Sequence, residues 1–375
     1  MKSSFRLFRI AGIDIGLHYT WIFIFVLISW SLAQGFFPQA YPGWDTVTYW
    51  ITGILAALLL FVSVLLHEMA HSLVARARGM SVNSITLFIF GGVSNLEEEP
   101  EKPRIEFAMA IVGPLTSLAL AGIFWGLTQV AGDQDGPLAA MLSYLSLINL
   151  ILAIFNILPG FPLDGGRVLR SILWGATGNL IQATNIAATV GRFFGWGLIA
   201  FGVLRLLAGD FLGGLWIAFI GWFISSAADN SYREITLREH LSGIKVKELM
   251  TPDQETIAPE TRVEDVVWNI FRKNHGRSVP VCRDGKLLGI VTITDVKELP
   301  RDKWAETPVE QIMTRDPLYM VSPEDNLNTA MKLIAQHDIN QVLINQQGRC
   351  AGLLSRSDII RHLQLNQELG MQRKV

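Results

Sequence analysis

Over its first 230 residues the chain alternates long apolar runs with short polar breaks. Six of these runs approach the roughly 20 residues that an α-helix needs to cross a hydrocarbon layer about 30 Å thick. They cover residues 18–36, 49–78, 105–130, 138–158, 191–207 and 211–228. Arg192 and Arg205 fall near the ends of the fifth run, where long side chains can snorkel to the interface. From about residue 245 the pattern changes to short strand-like runs alternating with helical ones, as in a soluble α/β fold.

That second region repeats itself. "VKELMTPD" returns as "VEQIMTRD" 63 residues later, "GIVTITD" at 289–295 returns as "GLLSRSD" at 352–358, and "APETRVEDV" and "SPEDNLNTA" are offset by 64. Two tandem copies of one unit are predicted. Each reads as a short strand, a helix such as "RVEDVVWNIFRKN", a strand, a turn such as "RDGK", a further strand, and a helix starting at Asp295 or Asp358. The predicted class is a polytopic α-helical membrane domain (1–235) with about six transmembrane helices and a short β segment. A cytosolic α/β pair (245–300 and 308–367) follows it.

Loop charge orients the spans. Lys2, Arg6 and Arg9 precede the first, Arg76, Arg78, Lys102 and Arg104 lie between the second and third, and Arg167 and Arg170 follow the fourth. The loops holding Asp45 and Asp133/Asp135 carry no Lys or Arg, so the positive-inside rule puts both termini and the tandem repeat in the cytosol, with a prokaryotic cell membrane as the expected setting. The composition, 50% hydrophobic and 17% charged with a net charge of −2, agrees with a membrane protein and lacks the basic excess that nucleic acid would require. Cys282 and Cys350 show no paired metal-ligand spacing, and no removable signal precedes Asp14.

Against this apolar background "HEMAH", residues 67–71, is conspicuous, because ionisable groups in a spanning helix are costly and usually functional. His67 and His71 are four apart and share one helix face, and Glu68 sits beside them. Two neutral imidazoles so spaced can ligate zinc while the neighbouring carboxylate takes a proton from the water that the metal activates. At 1.5 Å per residue from Ile51, His67 lies roughly 24 Å along the helix, toward the cytosolic side. A catalytic zinc site usually has a third protein ligand. Asp164 in "NILPGFPLDGGRVLRS" is the candidate: the second and fourth spans run in the same direction, so both sites fall at similar depth. An Asp capping the next helix is the alternative.

"HEMAH", "VGPLTS" (112–117) and "FNILPGFPLDGGR" (155–167) together resemble the three motifs of the site-2 protease family of intramembrane zinc metalloproteases, over most of residues 1–230. The resemblance implies one zinc ion bound by His67, His71 and Asp164, with Glu68 as general base. Ser117 stands where members often have Asn, which weakens any specific role for that position. Asn149 and Asn156 share a face of the fourth span; either amide could stabilise an oxyanion, with Asn156 preferred, or both could simply join helices. "SITLFIFGGVSN" (84–95) is too short to span and rich in β-formers. It reads as a strand pair that could hold an unwound substrate by β-augmentation, or as an ordinary buried hairpin. His18 has no partner motif and reads as interfacial.

Each repeat carries Gly, a hydroxyl residue and Asp at fixed spacing, Thr292 with Asp295 and Ser355 with Asp358. A hydroxyl and a carboxylate at a helix start suit a ribose, with phosphates near the helix N-terminus, and equally suit helix capping. The pair resembles tandem CBS domains, which implies an adenine nucleotide (ATP or AMP) as regulatory ligand and makes a homodimer plausible. The combined reading is an intramembrane zinc metalloendopeptidase that cuts a transmembrane protein substrate under nucleotide control. The alternative is a CBS-regulated transporter or ion channel using the intramembrane His and Asp residues.

Overall fold

The computed structural model describes residues 4–89, 91–96, 100–252, 255–272, 277–283, 286–346 and 349–368. It divides into two compact units, Met1–Ile235 and Thr236–Val375.

In the first unit, strands β1 (Ser4–Ile10) and β2 (Ile13–His18) form an antiparallel hairpin. Helix α1 (Thr20–Ser31) passes through a π-helical segment, Leu32–Phe36, into α2 (Phe37–Ala40). Helix α3 (Thr46–Ala77) follows, then β3 (Val82–Phe88) and β4 (Gly91–Leu96), and helices α4 (Pro103–Val130), α5 (Pro137–Asn156), α6 (Asp164–Thr177), α7 (Leu180–Leu207) and α8 (Phe211–Ser242), the last of which runs on past the unit boundary after Ile235. Six helices among the described residues are long and apolar enough to span a membrane: α1 with α2, then α3, α4, α5, α7 and α8.

Helix ends follow local chemistry. Asp45 caps α3 by accepting from the Val47 and Thr48 backbone N–H groups, and the Thr48 hydroxyl bonded to the same carboxyl holds its pKa below the usual value. The fifth spanning helix begins eleven residues earlier than its apolar run, at Leu180, because Ala183, Ala187 and Ala188 are buried against neighbouring structure and low hydropathy there is offset by packing. Arg192 is therefore mid-helix and not at an end, and it meets Asp229 of α8 at 3.3 Å. Arg205 does lie in the last turn of α7 and pairs with Asp210 in the following loop.

The four strands form one sheet in the order β1-β2-β3-β4, with β2 and β3 parallel and the other pairs antiparallel. The 84–95 segment is thus half of a larger sheet. The N-terminal hairpin was not among the sequence expectations, although Ile13, Ile15 and Leu17 alternate with polar or small residues at period two. Ile13, Ile15, Val82 and Ile85 pack with Met69, Ala75 and Met109, which fastens the sheet to α3 and α4. Phe90, inside the predicted segment, lies outside the described residues.

The second unit has two hydrophobic cores. One surrounds the hairpin Ser278–Arg283 with Lys286–Thr292, followed by the helix Ile293–Glu298. The other surrounds the hairpin Gln341–Gln346 with Arg349–Ser355, followed by the helix Arg356–Glu368. Leu327–His337 is a regular helix, whereas the matching stretch of the first copy is a short helix, Val263–Asp265, continued by a π-helical segment, Val266–Phe271. The middle of the predicted "RDGK" turn, residues 284–285, lies outside the described residues.

Candidate metal centre

His67 and His71 lie one turn apart on α3, and Asp164 opens α6. His67 Nε2 is 3.0 Å and His71 Nε2 is 3.2 Å from Asp164 Oδ2, and the two Nε2 atoms are 3.2 Å apart. Among the described residues these three are a set that could hold a metal ion. Tetrahedral zinc with bonds of about 2.0–2.1 Å separates its ligand atoms by roughly 3.3 Å, close to all three distances. Asp164 is not the N-cap of α6, since Leu163 holds that position and no side chain caps the helix; the carboxylate turns to the histidines instead.

Two glycines bring Asp164 there. A Cβ on Gly165 would strike the Ile157 and Leu158 carbonyls, and one on Gly166 would strike the Gly160 and Phe161 backbone, so the first turn of α6 lies directly on the preceding loop. On the other side of that loop Phe161 N–H donates to Ala187 O of α7 at 3.1 Å.

One face of α4 holds the far sides of both imidazoles. His71 Nδ1 is 2.6 Å from Met109 O, and a carbonyl can only accept, so Nδ1 carries a proton and in the neutral ring Nε2 presents its lone pair inward. His67 Nδ1 is 2.8 Å from the fully buried Ser117 Oγ. Between them Gly113 has no room for a side chain, because a Cβ there would collide with His71 Nε2 and lie 2.7 Å from His67 Nε2. Pro114 withholds an N–H from the Ala110 carbonyl, within an otherwise continuous helix. The "GPLTS" segment therefore supplies a gap and a hydroxyl. Ser117, which stands where members of the resembled family often have Asn, brings its hydroxyl against the imidazole.

Glu68 is half-buried beside the sheet. Ser94 of β4 donates to Glu68 Oε2 at 3.2 Å and lies 3.1 Å from Ser72 Oγ, one turn along α3. A Cβ on Gly92 would strike the Glu68 side chain, so the glycine lets β4 approach closely. β4 is an edge strand, and among the described residues its outer edge pairs with nothing. Nothing in the sequence pattern marked Ser94 or Gly92 as neighbours of Glu68.

The two asparagines part company. Asn149 is buried and donates to Ser63 Oγ of α3 at 3.2 Å and to Leu145 O at 2.8 Å, a helix-joining role. Asn156, half-buried at the end of α5, donates to Leu152 O at 3.0 Å. His18 Nδ1 lies 2.9 Å from the Thr20 hydroxyl at the start of α1. In the second unit, Asp295 Oδ2 accepts from the Thr292 N–H at 2.7 Å and hydroxyl at 2.8 Å. Asp358 Oδ2 accepts from the Ser355 N–H at 3.1 Å, and each hydroxyl in turn receives the Asp N–H. All four residues are engaged in capping.

Comparison with known proteins matches the chain to two families. Residues 55–134 and 129–198 match the model of peptidase family M50, and 246–302 and 309–365 match the CBS domain. A Synechocystis sp. protein is 37% identical over 97% of this chain and 96% of its own length. A zinc metalloprotease of Methanocaldococcus jannaschii is 31% identical over 98% and 99%. The structure of a site-2 protease from that organism, 32% identical, covers 61% of this chain and 95% of its own, with a TM-score of 0.43.

Proposed function

Since the chain belongs to peptidase family M50 and is a membrane zinc metalloprotease with two CBS domains, we propose that it hydrolyses a peptide bond within or beside a transmembrane helix of a membrane-protein substrate. Family membership sets aside the transporter or channel alternative. The observation that carries the proposal is the convergence of His67, His71 and Asp164 near the C-terminal end of a long apolar helix, with Glu68 beside them.

In this reading His67 and His71, through Nε2, and Asp164, through Oδ2, would hold zinc. Zinc there would supply Lewis acidity to lower the pKa of a water and polarise a carbonyl. Glu68 accepts the proton as the water oxygen bonds to the peptide carbon, then delivers it to the amine as the C–N bond breaks. The oxyanion role first favoured for Asn156 stays part of the proposal; its amide would have to leave Leu152 O to serve. A substrate helix hides its scissile amide in its own hydrogen bonds. The open edge of β4, next to Glu68, is suited to hold the unwound strand by backbone pairing.

The proposal extends to cytosolic termini, to an adenine nucleotide bound through Thr292, Asp295, Ser355 and Asp358 that modulates cleavage, and to a homodimer through the CBS domains. For the nucleotide, the supporting points are the CBS match and a hydroxyl and carboxylate in the same relation in both copies.

The test uses purified full-length protein in proteoliposomes with a labelled transmembrane peptide, with and without ATP. Glu68→Gln should abolish cleavage while about one zinc per chain is retained. Cleavage by the variant at the wild-type rate would refute the assignment, and a rate indifferent to ATP and AMP would remove the regulatory part alone.

A further inference from the structure

Glu106 and Arg170 form a buried ion pair that the mechanism above does not use. Both are 2% exposed, and Arg170 Nε donates to Glu106 Oε1 at 2.6 Å. Two charges removed from water are expensive to keep, and apolar residues of similar size often serve stability as well or better. What this pair joins is therefore informative. Glu106 lies on α4, at three- and four-residue intervals with Met109, Gly113 and Ser117, the positions that index His71 and His67. Arg170 lies on α6, six residues after Asp164, and its guanidinium carbon sits 5.1 Å from the centre of the Phe161 ring in the loop just before Asp164. One side chain thus grips both flanks of Asp164 and ties them to the helix face that fixes the histidines.

We propose that the Glu106–Arg170 pair is a positioning pair: it registers α6 against α4 so that Asp164 Oδ2 meets the two imidazole nitrogens. A packing contact alone would let α6 slide along α4 by fractions of an ångström. A hydrogen-bonded charge pair gives the contact one geometry, as wanted where three ligand atoms must meet within a few tenths of an ångström. The inference rests on the reading of Asp164 as a metal ligand.

The experiment replaces both charges at once, Glu106→Leu with Arg170→Met, in the full-length protein, so that no lone buried charge is left to unfold it. The variant is compared with wild type and with Asp164→Ala, after zinc equilibration against a chelator and after cobalt substitution. The expected result is a folded protein with ~10-fold weaker zinc retention. Its cobalt absorption should shift toward that of Asp164→Ala, and Glu106→Asp should recover part of the affinity. Wild-type zinc retention and an unshifted cobalt spectrum overturn the proposal. A double variant that fails to fold overturns it too, since the pair would then be an element of the fold and not of the site. If Asp164→Ala itself keeps zinc normally, the ligand assignment fails; if it loses zinc while the double variant does not, only the positioning role fails.

Discussion

The two units put the same residue types to opposite uses. In the CBS unit the hydroxyls and carboxylates of Thr292, Asp295, Ser355 and Asp358 turn back on their own backbone and close helix ends. In the membrane unit Ser117, Ser94 and Asp164 reach across to other helices: Ser117 to His67, Ser94 to Glu68, Asp164 to both histidines. Solvent explains the difference. At a wet surface a local cap competes well with water, whereas among apolar helices each polar group needs a partner, and long-range partners fix the register of helices that otherwise present only hydrocarbon. Polar pairing in the membrane unit specifies a site; in the CBS unit it specifies helix ends.

The contrast is broken most forcefully at Gly113. A helical glycine exchanged for alanine normally gains about 0.5–1 kcal/mol. Here the added methyl would occupy the space of both imidazoles. Gly113→Ala should therefore leave a helical, folded protein with cleavage reduced ~100-fold and little zinc, because small displacements at a reacting centre carry that cost. Metal analysis and a cleavage assay on one preparation decide it. Normal zinc and normal rate would show that α4 does not set the imidazoles.

Gly113 also marks the limit of what the sequence discloses. "HEMAH" was legible because its chemistry is local, two ligands and a base on one turn of an apolar helix. Asp164 was legible through topology, since parallel spans bring "LDGG" to the depth of His67. The face of α4 was not. Its contributions are a main-chain carbonyl at Met109, a missing side chain at Gly113, and a serine that looked like a departure from pattern at 117. The Glu106–Arg170 pair was hidden for a related reason: Arg170 counted as one of the cytosolic loop charges, and a buried partner 64 residues away leaves no periodic trace. The β1–β2 hairpin leaves little trace in the sequence because its alternating run is short and is interrupted by basic residues.

A smaller effect is expected at Ser117. Ser117→Ala leaves His67 Nδ1 buried without its hydroxyl partner, which removes the restraint on ring orientation but keeps all three proposed ligands. Zinc affinity should fall ~10-fold, the usual scale for a lost outer partner of a metal-binding histidine. Cleavage at saturating zinc should drop less than in Gly113→Ala. Ser117→Asn, with an amide that can also reach the ring, should recover most of the affinity. Chelator competition measures both, and equal affinities for serine, alanine and asparagine would make Ser117 mere packing.

The smallest effect belongs to the CBS side of the comparison. Thr292→Ala and Ser355→Ala each delete one cap, worth about 1 kcal/mol, or roughly a fivefold change in local opening. Hydrogen–deuterium exchange of the full-length protein should rise by that factor in Ile293–Glu298 for the first variant and in the opening turn of Arg356–Glu368 for the second. Zinc affinity should stay at the wild-type value in both. If exchange is unchanged, the hydroxyls are not stabilising their helices, and their conspicuous geometry must be held for a ligand instead. Should zinc affinity move, the two uses of polar groups are coupled through the chain, and the division drawn between the units fails.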